Sequence, residues 1–133
     1  MAIQLSVAAR NGRLDSFETT CGTSAVMKIF SGSPPANCAA ADSGTVLATV
    51  NLPANWMADA SGGTKAKNGT WEDLSADNTG TAGHFRIYDS GVTTCHMQGT
   101  VGTSGTDMIV NSTSFTATQA FTVNSFTLTD GNA

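Results

Sequence analysis

The sequence predicts a mainly β protein, an antiparallel β-sandwich or jelly-roll-like fold with one N-terminal α-helix. Helical periodicity occurs only near the start of the chain. From residue 25 onward, short runs rich in β-branched and aromatic residues alternate with Gly, Ser, Asn, Asp and Pro. No helical pattern lies between these runs, which disfavours a parallel sheet with crossover helices. The length of 133 residues fits a single β-sandwich domain, 1–133.

The helix is predicted over residues 6–20. Its apolar positions share one face of a 3.6-residue period: Val7, Leu14, Phe17 and Cys21. Ser6 is a suitable N-cap, and Gly22 suits the position after the last turn. Gly12 costs about 1 kcal/mol relative to Ala in the helix interior. We therefore expect the helix to need a docking surface, either the sheet or a neighbouring subunit.

Six strands are predicted after the helix. They cover residues 25–30, 45–52, 82–88, 92–100, 106–114 and 120–129. Their short length and turn-rich spacing favour a sandwich or jelly roll.

The clearest hairpin lies at 82–100, with turn residues at 89–91. Apolar and polar residues alternate before this turn, and Gly91 can adopt a left-handed conformation. We expect three cross-strand pairs: Tyr88 with Val92, Phe85 with Cys95, and His84 with His96.

The last strand changes the parity of its apolar residues. Phe121 and Val123 have one parity, whereas Phe126 and Leu128 have the other. A bulge near residues 124–125 would direct all four side chains to the core.

A long connection, 53–81, carries both tryptophans. Long connections in small domains are often functional or mobile, and here we expect a contact loop. Trp56 and Trp71 have two interpretations. They cover the core beneath the loop, or they anchor an interface, where Trp is enriched. Met57 next to Trp56 suits such an anchor.

The composition favours contact with proteins over contact with nucleic acids. Only 12% of residues are charged, the net charge is −4, and Thr, Ala, Gly and Ser make up 65 of 133 positions. The basic residues are scattered: Arg10, Arg13, Lys28, Lys65, Lys67 and Arg86. A phosphate-binding stripe and binding to anionic membranes are therefore disfavoured. The first six residues lack an export-signal pattern, and no apolar run is long enough for a membrane span. We therefore expect neither export by that route nor a membrane-spanning segment.

No residue pattern indicates an enzyme, a metal site or a cofactor. His84 and His96 could meet across the hairpin, but further ligands are not evident. Glu72–Asp73 is a carboxylate pair beside a tryptophan, as in some sugar-cleaving sites, but adjacent residues of an extended segment point apart. There is no nucleophile elbow and no phosphate loop. The cysteines are expected to be buried or half-buried thiols: Cys21, Cys38 and Cys95.

Three stretches resemble small virion proteins of tailed bacteriophages. They are LSVAARNGRLDSFE near the start, WMADASGGTKAKNGTWEDLSADNTGTAGHFRIYDS in the centre and FTVNSFTLTDG near the end. The chain is most similar to capsid cement or decoration proteins, which are often small β-sandwiches or jelly rolls between capsomers. The resemblance is one of order and style and has no catalytic motif.

The resemblance implies a structural protein on the capsid surface of a virion, made in the cytoplasm of the bacterial host. Its partners would be the major capsid protein and copies of itself, as a homo-oligomer on the particle. A phage tail or fibre accessory protein is one alternative, and a carbohydrate-binding module is an alternative from another class. From the residues themselves, we expect the helix and the 53–81 loop to make the contacts, with these candidates: Trp56, Met57, Trp71, Arg10, Leu14 and Phe17.

Overall fold

A computed structural model describes residues 3–132, with one α-helix and nine β-strands in that range. Helix α1 spans Val7–Cys21. The strands are β1 (Val26–Ser31), β2 (Val46–Asn51), β3 (Thr64–Ala66), β4 (Glu72–Asp73), β5 (Gly80–Tyr88), β6 (Cys95–Gly102), β7 (Met108–Val110), β8 (Ser114–Phe115) and β9 (Phe121–Thr129). The predicted mainly β fold with one N-terminal helix is confirmed. The region 106–114, predicted as one strand, is divided between β7 and the start of β8.

Helix α1 has the capping residues that the sequence predicts. The Ser6 hydroxyl accepts a hydrogen bond of 3.1 Å from the backbone N–H of Ala9. Gly22 has a φ of 90°, which glycine adopts without the steric cost of a Cβ, and its N–H donates to the Glu18 carbonyl at 2.9 Å. The helix therefore begins and ends within one residue of its predicted bounds.

The strands form a curled, mixed sheet with the order β2-β1-β5-β6-β7-β9-β3. Strand β4 also pairs with β9, and β8 with β5. The pairings are antiparallel with one exception, the short parallel pair of β6 and β7. The sheet is therefore mostly antiparallel, as the sequence predicts, with this one parallel pair as the exception.

The parallel pair depends on a double reversal of the chain between β6 and β7. Gly105 has a φ of 67° within this connection. The Asp107 carboxylate then accepts hydrogen bonds from the Thr100 backbone N–H at 2.9 Å and from the Thr100 hydroxyl at 3.0 Å. These bonds hold the returning chain against β6, so that β7 runs beside it in the same direction.

The hairpin of β5 and β6 has a different register from the predicted one. Tyr88 pairs with Cys95, while Phe85 pairs with Gly99 and His84 with Thr100. All three predicted pairs, Tyr88 with Val92, Phe85 with Cys95 and His84 with His96, are therefore wrong.

The register differs because the Asp89 side chain closes a longer loop. Its carboxylate accepts hydrogen bonds from the backbone N–H groups of Thr93 at 2.8 Å and Thr94 at 3.2 Å, and from the Thr93 hydroxyl at 2.7 Å. Val92 has a φ of 55° in this loop, a conformation that β-branched residues rarely adopt. The predicted three-residue loop placed the left-handed residue at Gly91 and did not include the hydrogen bonds of Asp89 that close the longer loop.

The bulge predicted in the last strand is confirmed. Val110 pairs with Val123 but Ile109 pairs with Ser125, so that Asn124 is the extra residue on β9. Phe121, Val123 and Phe126 are buried, and Leu128 packs against the same core.

Candidate docking surface

The tryptophans of the 53–81 connection lie in the core. Trp56 and Trp71 are both 0% exposed, with ring centroids 5.8 Å apart. The Trp56 indole N–H donates to the Gly22 carbonyl at 3.1 Å, and that of Trp71 donates to the Trp56 carbonyl at 3.0 Å. Met57 is also fully buried. For Trp56 and Trp71, the interpretation as residues that cover the core is confirmed. As anchors for a partner, Trp56, Met57 and Trp71 are contradicted, because their side chains are already covered by their own chain.

The 53–81 connection contributes strands to the sheet. It contains β3 and β4, and Met57 also forms a single bridge with Lys67. Strand β3 pairs with the end of β9 through Lys65 and Leu128. The prediction of a contact loop over 53–81 missed these strands, since both are too short to give a periodic signal.

Helix α1 docks through polar side chains. Asn11, Asp15 and Glu18 lie on one helix face, at intervals of four and three residues. Their side-chain oxygens accept hydrogen bonds from backbone N–H groups of the 57–63 segment at 2.9, 3.0 and 3.0 Å. The helix thus supplies hydrogen-bond acceptors to N–H groups that it would otherwise cover without a partner.

A buried lysine completes this polar docking. The Lys65 side chain is 1% exposed, and its Nζ lies 2.6 Å from Asp15 Oδ1 and 3.1 Å from Glu18 Oε1. Burial alone would lower the pKa of Lys65, but hydrogen bonds to the two carboxylates outweigh it and raise that pKa. The same hydrogen bond from Lys65, together with the one from the Ala60 N–H, lowers the pKa of Asp15. This cluster was not predicted from the sequence.

The predicted apolar face of the helix is only partly used by the fold. Leu14 and Cys21 are buried, but Val7 is 48% and Phe17 40% exposed. Arg10 is half-buried, and its guanidinium donates to the Asp130 carbonyl at 3.4 Å. Of the helix residues predicted as contacts, Phe17 alone presents a large exposed apolar side chain.

Phe17 borders an open groove between α1 and the chain after β9. The groove is also lined by Arg13 and Ser16 and by residues 129–132. Arg13 Nε lies 3.0 Å from the Asp130 carboxylate, which ties the groove walls together. Ile3, preceding the helix, is 78% exposed. Ile3, Val7 and Phe17 form what we call the N-terminal apolar set.

Aromatic side chains are otherwise withdrawn from the surface. The chain has six Phe, two Trp and one Tyr, all within residues 3–132, and each except Phe17 is buried. Sugar-binding sites use exposed aromatic faces for stacking. The burial therefore disfavours such a platform on this surface.

The other residues considered for chemistry have structural surroundings. The His84 ring is fully buried, stacks on Phe30 at 5.0 Å and hydrogen-bonds through Nδ1 to the Gly32 carbonyl at 2.8 Å. The Asp73 carboxylate accepts the Thr49 backbone N–H at 2.9 Å and so supports the edge of β2. Among residues 3–132, no group of three or more His, Cys, Asp or Glu side chains is placed to hold a metal ion.

The described part of the chain has no helix with the length and apolar character needed to cross a membrane. No family model, curated protein or solved structure matches the chain.

Proposed function

We propose that the protein is a structural virion component that binds the outside of a bacteriophage capsid, as a cement or decoration protein. Its role is to bind protein surfaces and not to catalyse a reaction. The observation that carries the proposal is the exposure of Val7 and Phe17 on a helix whose own docking is largely polar. Large apolar side chains that the fold leaves uncovered are suited to a protein partner.

The neutral composition supports the same role. With 12% charged residues, the surface has few groups whose desolvation would oppose packing against a neighbour. An interface of about 800 Å² per partner is ordinary for a specific contact. Repeated contacts around a closed shell add avidity, so each one can be weak. The partners of this proposal are the major capsid protein and neighbouring copies of the same chain.

Quantitative mass spectrometry of purified particles tests this role. A copy number comparable to that of the major capsid protein supports a capsid location. A few copies per particle would favour a tail or fibre accessory protein, and absence from the particles would contradict both. Saturable binding to a glycan array would favour a carbohydrate-binding module.

Phe17→Ser should weaken binding of the purified protein to particles that lack it. We expect a rise in Kd of about thirtyfold, which corresponds to about 2 kcal/mol for a residue near the centre of an interface. The measurement is a sedimentation binding assay with increasing protein. Leu74→Ser is the matched control, because Leu74 is 72% exposed but lies outside the N-terminal apolar set. Equal binding by Phe17→Ser and the unchanged protein would contradict this contact.

A further inference from the structure

Arg86 fixes the connection between β1 and β2 against the sheet. Its side chain is buried, and the guanidinium donates to the carbonyls of Cys38 at 2.8 Å and Ala40 at 3.0 Å. It also forms an ion pair with Asp42, whose carboxylate accepts a hydrogen bond of 2.6 Å from the Tyr88 hydroxyl. These contacts, at Cys38 and at the residues that follow it, hold this part of the connection against the sheet.

The same contacts bring Cys38 to Cys95. Cys95 begins β6 and pairs with Tyr88, and both cysteines line one surface cleft together with Arg86. Both thiols are free and half-buried, so small reagents can reach them. Burial, and then a hydrogen bond to Cys95, raise the pKa of the Cys38 thiol, while the charge of Arg86 opposes this. Burial would lower the pKa of Arg86, but the neighbouring side chains of Cys95, Asp42 and Tyr88 raise it.

We propose that Cys38 and Cys95 form an intramolecular disulfide when the protein meets a small-molecule disulfide such as oxidised glutathione. The pair is then a redox-dependent cross-link between the β1–β2 connection and strand β6. This inference is independent of the proposed capsid function.

The reaction is a thiol–disulfide exchange in two steps. The Cys95 thiolate attacks one sulfur of glutathione disulfide, and the first glutathione leaves as thiolate. The Cys38 thiolate then attacks Cys95 Sγ, and the second glutathione leaves. The two cysteines lose two electrons, glutathione disulfide gains them, and the two thiol protons pass through solvent to the two glutathione thiolates.

Cys21 provides the contrast within the same chain. It is 3% exposed, and burial, which is the main cause, raises the pKa of its thiol to about 11. Thiolate is the reactive form, and Cys21 is also buried whereas Cys38 and Cys95 are half-buried, so Cys21 should stay reduced under conditions that oxidise the other two.

The test uses the full-length protein, reduced and then incubated with oxidised glutathione under non-denaturing conditions. Peptide mapping without reductant should show a Cys38–Cys95 cross-linked peptide, and the intact mass should fall by two hydrogens. The cross-link closes a loop of about 57 residues, so we expect a rise in Tm of about 10 °C that a reductant reverses. Cys21→Ala should keep both effects, whereas Cys38→Ser and Cys95→Ser should each abolish them.

Three outcomes would overturn the proposal. The first is glutathione bound separately to Cys38 or Cys95 without a cross-link. The second is a disulfide that includes Cys21 or joins two chains. The third is that all three cysteines stay reduced while the circular dichroism spectrum shows that the protein is still folded.

Discussion

Trp56→Ala is expected to lower the free energy of unfolding by about 4 kcal/mol, which is typical of removing a large buried aromatic side chain. Trp56 is 0% exposed and lies against Trp71, whose indole N–H donates to the Trp56 carbonyl. Its own indole N–H donates to Gly22, the C-cap of α1. The substitution therefore leaves a cavity and also removes a link between the helix and the core.

Urea unfolding followed by far-UV circular dichroism measures this effect without depending on tryptophan fluorescence. Trp56→Phe keeps an aromatic ring but loses the hydrogen bond, so we expect a smaller loss of about 1–2 kcal/mol. Phe17→Ala is the matched control. The Phe17 ring is partly exposed, and its loss should change stability by no more than about 0.5–1 kcal/mol. If Trp56→Ala left stability unchanged but weakened particle binding, the anchor role would be restored.

The sequence predicts the local structure well where a single segment determines it. Ser6 and Gly22 cap α1 through contacts within the helix and its ends. The change of parity between Val123 and Phe126 predicts the bulge, because both side chains must reach one core. Runs of β-branched residues likewise locate the longer strands.

Features that depend on distant partners were not predictable in the same way. The β5–β6 register depends on the Asp89 carboxylate, whose bonds to Thr93 and Thr94 lengthen the loop. Residue type alone does not distinguish a buried Trp56 from an exposed one, because Trp suits both the core and interfaces. The polar docking of α1 was not predicted, because the prediction rested on the spacing of the apolar helix residues alone. The spacing of Asn11, Asp15 and Glu18, which places them on one helix face, was the pattern that could have predicted it.

In the Lys65 cluster, removing the two carboxylate charges should cost more stability than removing the lysine charge. The double variant Asp15→Asn/Glu18→Gln is expected to lower the free energy of unfolding by about 3 kcal/mol, because it leaves a buried ammonium group without a counter-charge. This loss is at the low end of the range for breaking a buried ion pair, since Asp15 is partly exposed to water. The amide side chains keep oxygen acceptors for the backbone N–H groups of Ala60 and Met57, so the change is mainly one of charge.

Lys65→Met is the matched variant, because it removes the buried charge and keeps a similar apolar stem. Its cost should be below about 1.5 kcal/mol, since replacing a buried ionic group by a packed apolar one is often close to neutral. Urea unfolding at neutral pH compares the two variants. An equal loss of stability in both would show that packing, and not an uncompensated charge, controls this site.

The pH dependence gives a second measurement of the Lys65 cluster. The pKa of Asp15 is lowered from 3.8, so its stabilisation is complete above that value and is lost as the pH falls through the lowered pKa. The pKa of Lys65 is raised from 10.5, so its stabilisation is present below that value and is lost as the pH rises through the raised pKa. Lys65→Met should therefore reduce the slope of stability against pH on both sides. An unchanged acid slope in this variant would mean that the Ala60 N–H, and not Lys65, sets the pKa of Asp15.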